Sequence, residues 1–148
     1  MRTELHASCA SLGGAAVLLL GPSGSGKSDL LLRLLDRGFT LVADDRVVIE
    51  AGMAAPAPGL EGLVEMRGLG ILRQPWQAPA QLVLAIVLSP EAPRRLPDRN
   101  PHVTPGVTLP ADLPVLELDP RVASAPLFVA RALACLRDPS GMHTGAFA

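Results

Sequence analysis

The eight residues Gly21-Pro22-Ser23-Gly24-Ser25-Gly26-Lys27-Ser28 satisfy the pattern G-x-x-x-x-G-K-[ST] in full, and the pattern demands a buried strand before it and a helix after it. Both are legible. Ala15 to Leu20 is a continuous apolar run, as expected for a strand covered on both faces. Lys27 to Arg37 reads as a helix, with Leu30, Leu31, Leu34 and Leu35 on one stripe and Gly38 as the stop. Between them the glycines let backbone N–H groups turn inward as an anion nest, at a helix N-terminus whose partial positive charge favours phosphate. Lys27 is suited to neutralising β- and γ-phosphates and the Ser28 hydroxyl to ligating Mg²⁺. The expectation is a nucleoside triphosphate site, for ATP with Mg²⁺, built on Gly21 to Ser28.

At 148 residues, 49% of them hydrophobic and 18% charged, the chain suits one globular domain with a real core. We expect that domain to span residues 1–137, with 138–148 as a frayed, disordered tail. A net charge of −1 does not favour a nucleic-acid partner. The longest apolar run, Leu82 to Leu88, has seven residues, against the ~20 that a membrane span needs. Cys9 and Cys135 are far apart and lack metal-ligand spacing, which suits a reducing cytoplasm. The chain holds twelve arginines and one lysine, and that lysine is Lys27. A compact ammonium on a flexible stem reaches phosphates where a planar guanidinium does not fit.

The remaining elements follow from local pattern. Leu5 to Ala10 reads as a short strand followed by a Gly13-Gly14 turn. Leu41 to Ala43 reads as another, and Val47 to Ile49 either continues it or starts a new one. Ala51 to Gly62, rich in Ala, Pro and Gly, reads as a loop. Leu63 to Leu72 holds a strand and a Gly68-Leu69-Gly70 turn, and Leu82 to Leu88 is a further buried strand. Prolines recur from Pro90 to Pro114, predicting a long extended connection. Val115 to Leu118 is a short strand. A helix then runs to about Leu136, with Ser124 as N-cap and Pro126 in its first turn.

Two more segments carry chemistry. Asp44-Asp45 stands at the carboxyl end of a strand with only fifteen residues separating Ser28 from Asp44, so it belongs to the strand directly after the helix. Adjacent acids leave the backbone in different directions, so one can face Mg²⁺ while the other faces a nucleophile's proton. In Glu65-Met66-Arg67-Gly68-Leu69-Gly70, Glu65 and Arg67 fall on one side of an extended segment, and could serve a metal and a phosphate. His6, a lone histidine on a strand, says little by itself.

In this order the segments resemble the catalytic domain of HPr kinase/phosphorylase. The resemblance rests on Leu5-His6, Gly21 to Ser28, Leu41-Val42-Ala43-Asp44-Asp45-Arg46 and Glu65 to Gly70 followed by Ile71, and covers His6 to about Ile71. It implies an α/β fold with a mixed central sheet, like the phosphoenolpyruvate carboxykinase and HPr kinase cores. It also implies a serine protein kinase acting on an HPr-like phosphocarrier protein of the phosphotransferase system. Carried over residue by residue, Asp45 is the general base, Lys27 holds the transferring phosphate, and His6 lies near the transferred group. Ser28, Asp44 and Glu65 serve Mg²⁺. The family's further arginine, in an Arg-Leu pair, matches Arg95, with Arg94 as rival. Family members usually carry an amino-terminal regulatory domain, so a short form is expected. The family tends towards hexamers, and no interface signature is legible here. In place of the family's basic, asparagine-containing loop stands Pro114 to Val122, with Arg121 as its only base. Kinase activity therefore carries over and reverse phosphorylase activity stays open. Two other readings also stay open: a non-catalytic ATP sensor, which would need no general base, and a P-loop kinase for a small molecule.

Overall fold

The computed structural model describes residues 2–91, 109–110 and 112–147. Ten strands and two helices follow one another as β1 (Arg2–His6), β2 (Ser8–Leu12), β3 (Ala15–Leu20), α1 (Lys27–Asp36), β4 (Thr40–Ala43), β5 (Arg46–Glu50), β6 (Met53–Pro56), β7 (Leu63–Met66), β8 (Gly70–Arg73), β9 (Ala80–Leu88), β10 (Val115–Leu118) and α2 (Ala125–Arg137). Eight strands form one sheet in the order β1-β5-β6-β9-β3-β2-β4, with β10 also on β9. Strands β3, β9 and β10 are parallel, while β2, β4, β5 and β6 join antiparallel. This is a mixed α/β fold on a central sheet. Strands β7 and β8 form a separate hairpin.

Alternation along β3 explains its all-apolar sequence. Val17 and Leu19 face a core shared with Leu30, Leu31 and Leu34 of α1 and Val129 and Leu133 of α2. Ala16, Leu18 and Leu20 face a second core with Val42, Val47, Ile49 and Leu82. A sheet buried on both faces has no solvent side to mark with polar residues. Because Leu34 is fully buried, Leu34→Ala should cost roughly 3 kcal/mol through lost contacts and a residual cavity. Calorimetry should show it as a clear fall in Tm, whereas Leu127→Ala, on the half-exposed side of α2, should change stability by less than ~0.5 kcal/mol.

Three local expectations differ from what forms. The strand expected over Leu5 to Ala10 is two strands broken at Ala7, with β1 on β5 and β2 on both β3 and β4. Residues 2–12 and 40–50 thus run opposite each other as one long antiparallel ribbon, kinked at Ala7 and at Asp44-Asp45. The Ala51 to Gly62 loop contains β6. Ala51 and Gly52 both have positive φ, 53° and 76°, and join β5 to β6 through a two-residue turn of the kind that matches strand twist. Alanine rarely adopts that conformation, and Met-Ala-Ala-Pro has little strand propensity, so pairing decides the outcome. Beyond Asp138, the stretch read as a frayed tail makes a 3₁₀ turn at Pro139–Gly141 and buries Ala146 in the helix-side core. The proline-rich connection lies largely outside the described residues. No helix among them is long and apolar enough to cross a membrane.

Candidate functional site

Strand β3 delivers the chain to the glycine-rich loop, and α1 begins directly after it. Gly26 stands at the N-cap with φ 98° and offers no side-chain cap. A side chain there would be strained and would press on Pro120 at 3.3 Å. Gly21 is required for another reason: an added Cβ would lie 2.5 Å from Ser25 Oγ. The first-turn N–H groups of α1 are left uncapped at the loop, the arrangement that receives anions.

Lys27 is buried, with 7% of its surface exposed. Its ammonium donates to Gly21 O at 2.7 Å and Pro22 O at 3.0 Å, which uses two of its three donors. Burial pushes its pKa down, and the nearby Asp44 and Asp45 oppose that shift.

The acidic pair occupies the kink of the ribbon. Arg46 N donates to Asp44 O at 2.8 Å, and Asp45 has φ 70°, so Asp45 is the centre of a γ-turn in the strained positive-φ form. A non-glycine residue in that region is held by its surroundings, and such strain gathers at functional sites. Three consecutive residues at the junction of β1 and β2 hold this turn. His6 Nε2 lies 2.8 Å from Asp45 Oδ1, Ala7 N donates to Asp45 O at 3.1 Å, and Ser8 Oγ donates to Asp44 Oδ1 at 2.6 Å.

Asp44 is buried and Asp45 exposed. Ser28 Oγ donates to Asp44 at 2.9 Å (Oδ1) and 3.1 Å (Oδ2), and Glu65 N points at Oδ2 from 3.4 Å. An open cleft of about 1150 Å³ is lined by His6, Ser8, Lys27, Ser28, Asp45 and Glu65, among others. Arg67 lines it too, although it lies in the hairpin turn rather than on a strand. Among the described residues no group of three or more His, Cys, Asp or Glu side chains could hold a metal. The oxygen donors Ser28 and Asp44 nevertheless fit Mg²⁺, which typically takes one or two carboxylates and completes its shell with phosphate and water.

The structure therefore brings His6, Lys27, Ser28, Asp44, Asp45 and Glu65 together. Arg95 and its rival Arg94 lie outside the described residues. Sequence reasoning missed Ser8, whose only signal is that it shares a strand face with His6 at period two. It also missed a brace beneath the loop: Arg33 of α1 donates to Pro120 O and pairs with Asp29 at 3.0 Å.

Comparison with known proteins bears on the family and the fold. The model of the HPr serine kinase C-terminal domain matches residues 1–75. HPr kinase/phosphorylase of Limosilactobacillus reuteri is 42% identical over 76 residues, covering 48% of this chain and 24% of the relative. The Streptococcus pneumoniae protein is 45% identical over the same length and coverage. The matched region is thus about a quarter of the length of these curated relatives. The solved Hpr(Ser) kinase/phosphatase from Coxiella burnetii superposes with a TM-score of 0.73 at 21% identity, covering 94% of this chain and 93% of that one, and so shares the fold.

Proposed function

The chain belongs to the family of the HPr serine kinase C-terminal domain, and from that membership we propose that it is an ATP- and Mg²⁺-dependent kinase phosphorylating a serine of an HPr-like phosphocarrier protein. The observation that carries the reading is the two-acid turn beside the lysine. One carboxylate is buried against Ser28, the other is exposed and aligned by His6, and both lie close enough to Lys27 to act on its charge.

In this reading the loop from Gly21 to Ser28 cradles the triphosphate and Lys27 offers its ammonium to the β- and γ-phosphates. Asp45 accepts the proton of the acceptor serine hydroxyl. The serine oxygen bonds to the γ-phosphorus while the bond to the bridging oxygen of ADP breaks, and ADP leaves with that oxygen. The 2.8 Å contact with His6 holds the Asp45 carboxylate in one direction for this transfer. Ser28, Asp44 and Glu65 would hold Mg²⁺, which when bound neutralises charge on the phosphate oxygens. Arg95, or Arg94 beside it, is the proposed further arginine of the site. With inorganic phosphate in place of ADP as acceptor of the phosphoryl group, the same geometry would let Asp45 return the proton to the serine oxygen, the phosphorylase half of the family's chemistry.

The deciding experiment incubates the protein with γ-labelled ATP, Mg²⁺ and the HPr-like protein of the same cell. Label on an HPr serine is expected. Nucleotide binding with no labelled acceptor would reject the kinase reading in favour of a nucleotide sensor.

A further inference from the structure

Ser8 has no role in the reading above, yet it is the most completely buried polar side chain at the site, with 0% of its surface exposed. Its hydrogen bond to Asp44, at 2.6 Å, is shorter than either bond from Ser28. The two carboxylate oxygens of Asp44 are consequently unequal. Oδ1 accepts from Ser8 at 2.6 Å and from Ser28 at 2.9 Å. Oδ2 has only longer approaches, from Ser28 at 3.1 Å and the Glu65 N–H at 3.4 Å. A carboxylate offers about four lone-pair sites, so the free capacity lies on Oδ2.

We propose that Ser8 is a positioning residue for the divalent cation: its hydroxyl locks Asp44 through Oδ1 and leaves the Oδ2 lone pairs for the cation, or to accept a hydrogen bond from its water. The inference rests on the assignment of Ser28 and Asp44 to Mg²⁺. The fold explains why Ser8 can do this. Ser8 opens β2 directly after the break at Ala7, and it pairs with Leu19 on β3, next to the strand that leads into the glycine-rich loop. The residue that aligns Asp44 is therefore tied to the same strand that carries the phosphate cradle. Ser28 also donates to Asp44, but its hydroxyl oxygen would at the same time be a ligand. Only Ser8 among the two is free to act on the carboxylate alone, and hydrogen-bond partners of metal-ligating carboxylates change metal affinity by ~10–100-fold when removed.

The test is a titration of Mn²⁺, followed by electron paramagnetic resonance, into the full-length protein with ADP present. Nucleotide affinity is measured alongside in EDTA. Ser8→Ala should weaken Mn²⁺ binding by ~10-fold or more and leave metal-free ADP affinity unchanged. Ser8→Cys, close in size but a weak donor, should show the same loss. Ser8→Thr, where it folds, should restore binding through its hydroxyl. Loss of Tm with unchanged Mn²⁺ affinity would reduce Ser8 to a structural residue and overturn the inference alone. Failure of the wild type to bind Mn²⁺ with ADP would overturn the cation assignment itself, and this inference with it.

Discussion

Asp45→Asn is expected to lower phosphoryl transfer to the acceptor serine by about 10²- to 10⁴-fold, the usual contribution of a positioned general base, while ADP and ATP bind as before. The substitution is well suited to the question. The Asp45 side chain is largely exposed, so replacing it leaves no buried orphan. Asparagine also tolerates the positive φ that the γ-turn imposes, and its amide can still meet His6. What is lost is the ability to accept the serine proton. Rapid-quench measurement of a single turnover, with nucleotide affinity by calorimetry, reads the two effects separately. Transfer at the wild-type rate would remove Asp45 from the base role. Loss of nucleotide binding would mean that the turn supports the loop rather than the chemistry.

Lys27→Ala should act on both steps. Removing the ammonium takes away a charged partner for the triphosphate, worth about 1.5–3 kcal/mol by analogy with other charged hydrogen bonds, or roughly 10- to 100-fold in affinity. It also deletes the two bonds to Gly21 O and Pro22 O that tie the helix start across the loop, so transfer should fall further than binding does. Arginine should not rescue the site. A planar guanidinium differs in shape and hydration from the buried ammonium. Calorimetric titration with ATP is the direct measurement, and an unchanged dissociation constant would contradict the phosphate role.

The strand Ala15–Leu20, the helix starting at Lys27 and the strand Val115–Leu118 were legible because each carries a complete local signal. They show, respectively, a run with no polar residue, a leucine stripe with a glycine stop, and a short stretch, apolar but for Glu117, between turn residues. Helix α2 was legible from Pro126 and its apolar residues, although Ser124 occupies the N-cap without making a side-chain cap bond. Strand β6 was not legible, because Met53-Ala54-Ala55-Pro56 has no strand preference of its own. It forms because β5 and β9 present edges to it. The break at Ala7 was hidden for a similar reason, since nothing in His6-Ala7-Ser8 announces that the chain changes partners there.

From residue order alone one can derive a phosphate-type loop between strand and helix and two acids close behind it, and the motifs in that order resemble the HPr kinase family. Those conclusions depend on contiguous motifs, whose backbone geometry is local. The different surroundings of Asp44 and Asp45 depended on the fold, because identical side chains one position apart acquire different burial and partners only when the opposing strand is laid against them. His6, Ala7 and Ser8 come from 36 or more positions away in the chain and reach the acids only because the kinked ribbon sets β1 and β2 against β5 and β4. Burial and hydrogen bonding then make one carboxylate an inward anchor, locked by Ser8 and Ser28, and leave the other facing the cleft beside His6.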